Sequence, residues 1–317
     1  MPISKTKLCV MMTVVCLCLS GCRQQTLAQR EIVRAVFFEE EEKQCKAVLL
    51  VEDTDLPEGE SGYKTAEATA NTFEKAIREA EQSLDGTPFY GLMDLAALPV
   101  EADWETVTKI GEMLYQQAQP APEMDLFLVD TEGSPLPKSA GELYDTLRAE
   151  TEAMEWNGGL ERIFVQDAFC ALPVWRDGEL GLAFLRQGME SEMIPAGLTT
   201  QLGAVLCGQM RRIDTYFDEE QADCSAKVTV EWNAEKDGVE ILLHLRQATL
   251  RSLDGEEENA SDLESKLMEE MQEAFSELNE TAARLGADPF RLQFWQETMT
   301  GKGETMPSAQ LQIEIEL

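Results

Sequence analysis

The sequence predicts an α+β protein of several domains, with mixed and antiparallel sheets, packed helices, and a C-terminal long helix on a small antiparallel sheet. Three observations carry that expectation. The chain has 317 residues of ordinary apolar content, enough for two or three hydrophobic cores. From Ile32 to Val129 β-rich runs alternate with apolar stripes of helical spacing, in the order strand, strand, helix, strand, helix, strand. In the last third, period-two runs flank one long helical stripe from Leu263 to Leu285.

The chain opens with Lys5 and Lys7, an apolar run from Leu8 to Leu19, and Leu19-Ser20-Gly21-Cys22. A basic start, a short hydrophobic segment and small residues before a cut make a secretory signal, here residues 1–21. The apolar run is short for a spanning helix, which needs about 20 residues. A cysteine directly after Leu-Ser-Gly is a lipobox, so Cys22 is the predicted lipidation site: it takes a diacylglycerol and then a further acyl chain such as palmitate. The plainer reading is a signal peptide that happens to carry a cysteine. A single acyl chain gives marginal anchoring, and two or three on one cysteine pass that limit. The expected location is a membrane, by lipid anchor on its extracytoplasmic face.

Charge narrows the function classes. There are 60 acidic residues against 26 basic, a formal charge of −34, and the leader removes two lysines and no acid. Such a body repels phosphate backbones and anionic headgroups, so nucleic-acid binding is excluded. Of eight cysteines, Cys9, Cys16 and Cys18 leave with the leader, and Cys45, Cys170, Cys207 and Cys224 remain beside Cys22. They have no Cys-x-x-Cys spacing and no histidine nearby, so no metal site is expected. Their pairing is open among three disulfide arrangements, with buried free thiols as the other possibility. The one histidine, His244, sits in a strand on the same face as Leu242. No nucleophile elbow, phosphate loop or dinucleotide fingerprint is present, so no catalytic residue, no cofactor and no enzymatic activity are expected.

The predicted N-terminal α/β domain, residues 22–155, starts with a polar tether over Gln24 to Gln29. Ile32 to Phe38 and Cys45 to Val51 form a hairpin around the acidic turn Glu39 to Glu42. Ala66, Ala70, Phe73, Ile77, Ala80 and Leu84 share helical spacing, so a helix is expected from Thr65. Phe89 to Leu98 reads as a strand. Asp103 is the N-cap of a helix reaching Ala118, Met124 to Val129 is a strand, and Ser139 to Met154 is a helix. A β-leaning middle domain is expected over 156–222. It holds Ile163 to Trp175, an Asp177-Gly178 hairpin turn, Glu179 to Leu185, and a strand over Leu198 to Cys207. In the C-terminal α+β domain, 223–317, Lys227 to Trp232 and Val239 to Leu245 alternate with period two. The long acidic helix follows, capped by Gly286. Asp288-Pro289 restarts a turn, and Leu311, Ile313 and Ile315 mark a closing strand.

The order of these features resembles the Ger(x)C family, the C-subunit lipoproteins of spore germinant receptors. Behind the lipobox, Arg30-Glu31-Ile32 looks like the end of an Asp-Arg-Arg-Glu-Ile signature, with Ala28-Gln29 in place of its Asp-Arg. Phe89-Tyr90-Gly91-Leu92-Met93-Asp94-Leu95 is similar to a Tyr-Phe-Gly-His-Leu strand, with Leu92 in place of the histidine. At the far end the acidic helix runs into Leu285-Gly286-Ala287-Asp288-Pro289-Phe290 and then Trp295. The likeness covers most of the chain after Cys22 and is thinnest in the middle, which is short. The resemblance implies a non-catalytic three-domain lipoprotein on the outer face of the spore inner membrane. There it would bind two integral membrane partners, the receptor A and B subunits, in nutrient-triggered germination of the spore formed in sporulation. The competing reading is a solute-binding or scaffold lipoprotein of the cell envelope, unrelated to germination. Solute-binding lipoproteins usually show two similar lobes, and no duplicated halves are visible here.

Overall fold

The computed structural model describes residues 30–316 apart from 42–43, 54–55, 58–61, 119–122, 131–138, 158, 165, 167, 218–219, 236–237, 253–259 and 303–305. Cys22, the signal peptide, the Gln24 to Gln29 tether and Glu42 of the acidic turn lie outside the described residues. Among the described residues thirteen strands form two sheets, with six α-helices against them, so the fold is mixed α/β and multi-layered.

The first sheet starts with the hairpin read from the sequence: β1 (Arg30–Glu41) pairs antiparallel with β2 (Gln44–Glu52). A bulge between Val33 and Ala35 changes the parity of β1. Val33, Val36 and Phe38 therefore face one layer, and Ala35 and Phe37 face the other.

The segment after the loop differs from expectation. Tyr63–Ala70 is a strand, β3, on the free edge of β2, and helix α1 (Phe73–Glu81) starts only after Thr72, whose hydroxyl caps Lys75. The alanine spacing fits both periods, because Ala66 and Ala70 lie four apart and also share one side of a strand. Pairing with β2, together with β-branched Thr65 and Thr69, decides for the strand.

The expected strand over Phe89 to Leu98 is two pieces, β4 (Thr87–Phe89) and β5 (Leu95–Pro99), separated by a turn at Gly91 and Leu92. Both run parallel to β1, β4 beside its start and β5 beside its middle. Helix α2 (Trp104–Met113) has Asp103 as its N-cap, accepting from Thr106 N–H at 2.9 Å, and runs on as a π turn over Leu114–Ala118. β6 (Asp125–Val129) adds parallel to β5, and α3 (Ala140–Ala153) follows its N-cap Ser139. Helices α1 and α2 cover the Val33 side of the sheet and α3 covers the Phe37 side.

A 3₁₀ turn (Leu160–Phe164) leads to β7 (Phe169–Arg176), β8 (Glu179–Arg186) and β9 (Glu192–Ile194). The Asp177-Gly178 turn has φ of 54° and 86°, the left-handed pair that a two-residue hairpin requires. β7 pairs parallel with β6, so the first sheet runs through the sequence position 155/156 in the order β3-β2-β1-β5-β6-β7-β8-β9.

Leu198–Leu206 is a helix, α4, where the sequence reading expects a strand. Its residues from Thr200 to Val205 are all buried, so no polar face marks a period. It passes between β8 and the long helix α5 (Ala260–Leu285) at Gly203. A Cβ there would lie 2.8 Å from Leu182 Cδ2 and 3.0 Å from Leu278 Cδ2.

The second sheet has the order β10 (Arg212–Phe217), β11 (Glu220–Asn233), β12 (Gly238–Ser252), β13 (Ser308–Glu316). The first three are antiparallel, whereas β13 runs parallel to β12, a refinement of the antiparallel sheet expected. The cause is the connection: α5 and α6 (Leu292–Thr300) carry the chain back before β13 begins, a crossover that permits a parallel partner. The apolar stripe of α5 is buried as read, from Leu263 to Leu285, with Thr281 added to it.

The core beneath α5 also contains Phe169 and Ala171 of β7 and Leu182 and Phe184 of β8. Their neighbours Cys170, Leu172, Ala183 and Leu185 face the α1/α2 core. These two strands are buried on both faces and join the two sheets through shared packing.

Candidate functional site

The two N-terminal stretches that carry the family resemblance lie side by side. Ile32 is in register with Phe89, and the Arg30 guanidinium stands 4.8 Å from the centroid of the Phe89 ring. Gly91 lets that ring tuck beneath the turn, since a Cβ there would come within 2.7 Å of Phe89 Cζ. Glu31 is nearly buried and Lys64 of β3 bridges to it, Nζ to Oε2 at 2.8 Å.

At the β1 bulge Arg34 donates from Nη2 to Asp94 Oδ2 at 2.9 Å and to Tyr144 Oη of α3 at 3.2 Å. The Tyr144 hydroxyl in turn donates to Asp94 Oδ1 at 2.9 Å. The backbone closes the same knot: Asp94 N–H donates to Arg34 C=O, and Asp125 N–H donates to Asp94 C=O. Tyr63 packs edge-on against Tyr144, with ring centroids 5.3 Å apart, and donates to Asp145 Oδ1 at 3.3 Å.

This arrangement is a clamp. Asp94 accepts from a guanidinium and a phenol, which fixes the carboxylate in one orientation between β1 and α3. Burial pushes the Tyr144 phenol up, and burial with Asp145 nearby pushes Tyr63 up to about 12, so neither phenol is a base at neutral pH. What the cluster does is tie β1, the β4–β5 turn, β3 and α3 together at one end of the sheet. Leu92, 45 % exposed, projects at the tip of that turn. Sequence reasoning did not single out Arg34 or Tyr144, and named Asp94 only as part of the Phe89 to Leu95 stretch. The available signal was a charge inside an apolar strand run, at Arg34 and again at Asp94.

The C-terminal stretch of the resemblance is a corner between helices. Gly286 has φ 55°, its N–H donates to Ala283 C=O, and Ala287 N–H donates to Ala282 C=O, which is a Schellman cap. Arg186 adds a bond from Nη1 to Leu285 C=O at 2.6 Å. The Asp288 carboxylate accepts from Leu292 and Gln293 N–H and so starts α6 three residues later than read, while Phe290 packs on Phe275.

Of the other residues weighed, His244 lies on the half-buried face of β12, with Nδ1 2.9 Å from Glu314 Oε2. Cys45, Cys170, Cys207 and Cys224 are all free thiols. Among the described residues no cluster of His, Cys, Asp and Glu could hold a metal ion, and no helix is long and apolar enough to cross a membrane.

No family model matches the chain, and no curated protein matches it. Among solved structures, the crystal structure of the GerBC protein is similar, with a TM-score of 0.46 and 11 % sequence identity, over 88 % of this chain and 95 % of that one.

Proposed function

We propose that this chain is a lipid-anchored, non-catalytic subunit of a spore nutrient germinant receptor, held by Cys22 on the outer face of the inner membrane. It acts by binding the integral membrane A and B subunits. The observation that supports the reading most is the meeting of Arg30-Glu31-Ile32 with Phe89 to Asp94 in one clamp at the start of β1. These are the two N-terminal stretches on which the sequence resemblance rests, and the first of them is the part of the body closest in sequence to the lipid.

The tether sets the geometry. Seven residues, Arg23 to Gln29, separate Cys22 from β1, and at about 3.6 Å per extended residue they reach roughly 25 Å. The clamp end of the first sheet is therefore the surface presented to a membrane partner.

A photocrosslinking amino acid at Leu92, with a second at Met268 on α5, tests this in sporulating cells. Both side chains are exposed. The expected result is capture of a multi-span membrane protein from Leu92, lost when Cys22→Ala removes the anchor and releases the protein from the membrane fraction. Capture from Met268 alone would refute the orientation. Capture from neither site would refute the receptor reading.

A further inference from the structure

A cleft of about 280 Å³ opens where the two sheets meet. Its floor is the inner face of the second sheet, at Val228, Val230 and Ile241. Its walls are the 3₁₀ turn with Arg162, the C-terminal end of α4, and the corner from Pro289 to Trp295. Val228 stands opposite Leu243 and Val230 opposite Ile241, so all four share one face. Ile241 and Leu243 are 2 % and 0 % exposed, as inner-face residues should be. Val228 and Val230 are only half-buried, although they too belong to that face. The cleft stands over them and leaves apolar strand surface uncovered in the middle of the molecule.

The charge of the cleft runs against that of the chain. Acidic residues outnumber basic ones by 60 to 26, yet no acid lines this cleft and its two charged side chains are Arg162 and Arg291. Arg162 has no ion pair among the described residues, and its charge acts on Cys207 at the end of α4. Arg291 is held with its guanidinium 4.3 Å from the Phe294 ring centroid. Asp288, whose carboxylate accepts from Leu292 and Gln293 N–H, is close enough to Arg291 for the two charges to interact, so Arg162 carries the positive charge of the cleft. The Arg162 guanidinium beside an apolar floor, with no acid in the lining, gives the cleft positive potential in a site partly screened from water. The planar guanidinium matches a carboxylate with paired hydrogen bonds.

We propose that this cleft is a binding site for a small organic anion, an aromatic or branched aliphatic carboxylate. Its apolar body lies on Val228, Val230 and Ile241, and its carboxylate meets Arg162. A ligand held there touches β11, α4 and the α5–α6 corner at once, so its occupancy stiffens the junction of the two sheets. The proposal does not depend on the germination reading, and an unanchored or partner-free protein would bind equally well.

Benzoate is the probe, with benzyl alcohol as its neutral counterpart of the same shape, in methyl NMR of the full-length protein in detergent. Saturable shifts at the Val228, Val230 and Ile241 methyls are expected with benzoate. Benzyl alcohol should bind at least about tenfold more weakly, and Arg162→Gln should weaken benzoate by about tenfold while leaving benzyl alcohol unchanged. No saturable shift at these methyls up to about 20 mM benzoate would overturn the site. Equal binding of the two probes, or an unaffected Arg162→Gln, would overturn the anion. Should Arg162→Gln lose its methyl dispersion, Val230→Phe provides the check. It fills the floor and must abolish the benzoate shifts at Val228 and Ile241, and their persistence would equally overturn the proposal.

Discussion

Truncating Phe275 probes the packing on which the second half of the molecule depends. Its side chain is 5 % exposed at mid-length of α5, between Met271 and Leu278, which are both fully buried. The ring sits 6.0 Å from that of Phe290, so it also holds the α5–α6 corner. Replacing a buried Phe by Ala costs about 3–5 kcal/mol, the lost transfer energy plus the cavity left behind. The aromatic contact accounts for roughly 0.5–1.5 kcal/mol of that. Glu273, two residues earlier, is exposed beside Glu270 and Glu277, so Glu273→Ala should stay within about 0.5 kcal/mol. With a urea slope near 3 kcal/mol/M, Phe275→Ala should lower the unfolding midpoint by about 1–1.7 M. Tryptophan fluorescence reads this directly, because Trp156 and Trp232 belong to the same core. Equal midpoints for Phe275→Ala and Glu273→Ala would show that the stripe is not a packed core face, and the account of α5 would fall with it.

Two further outcomes follow from the clamp and the thiols. Tyr144→Phe removes a hydroxyl that donates to Asp94 and accepts from Arg34, and should cost about 1–2 kcal/mol by urea unfolding. In a double-mutant cycle with Asp94→Asn the coupling should reach at least about 0.5 kcal/mol, and additive losses would mean the three groups do not act as one network. Burial pushes Cys170, Cys207 and Cys224 up to about 12, leaving roughly one thiolate in 10⁴ at pH 8. Half-buried Cys45 is also raised, chiefly by burial, but it should be modified first by a thiol reagent in the native protein. Peptide mapping that finds Cys170 or Cys224 modified as fast would contradict the packing.

Elements with one wet face and one dry face were legible from the amino-acid sequence. The α5 stripe, the Asp177-Gly178 turn and the Asp103 cap follow from local periodicity or from the chemistry of one residue, whereas the β1–β2 hairpin, covered on both faces, was legible from two β-rich apolar runs around an acidic turn. His244 was also placed on the correct face of β12, since alternation alone decides it. Where both faces are covered, periodicity carries no information. Leu198–Leu206 is packed between β8 and α5 and so shows no polar stripe to mark it as helical. Ala66 to Ala70 fits either period until the edge of β2 selects a strand. The direction of β13, the continuity of the first sheet from β6 into β7, and the joining of Arg34, Asp94 and Tyr144 depend on partners 46 to 110 residues apart. Local sequence sets which side of an element is apolar. Only the tertiary structure decides which distant surface covers that side, because the energy of that choice resides in the pair of surfaces and not in either strand or helix alone.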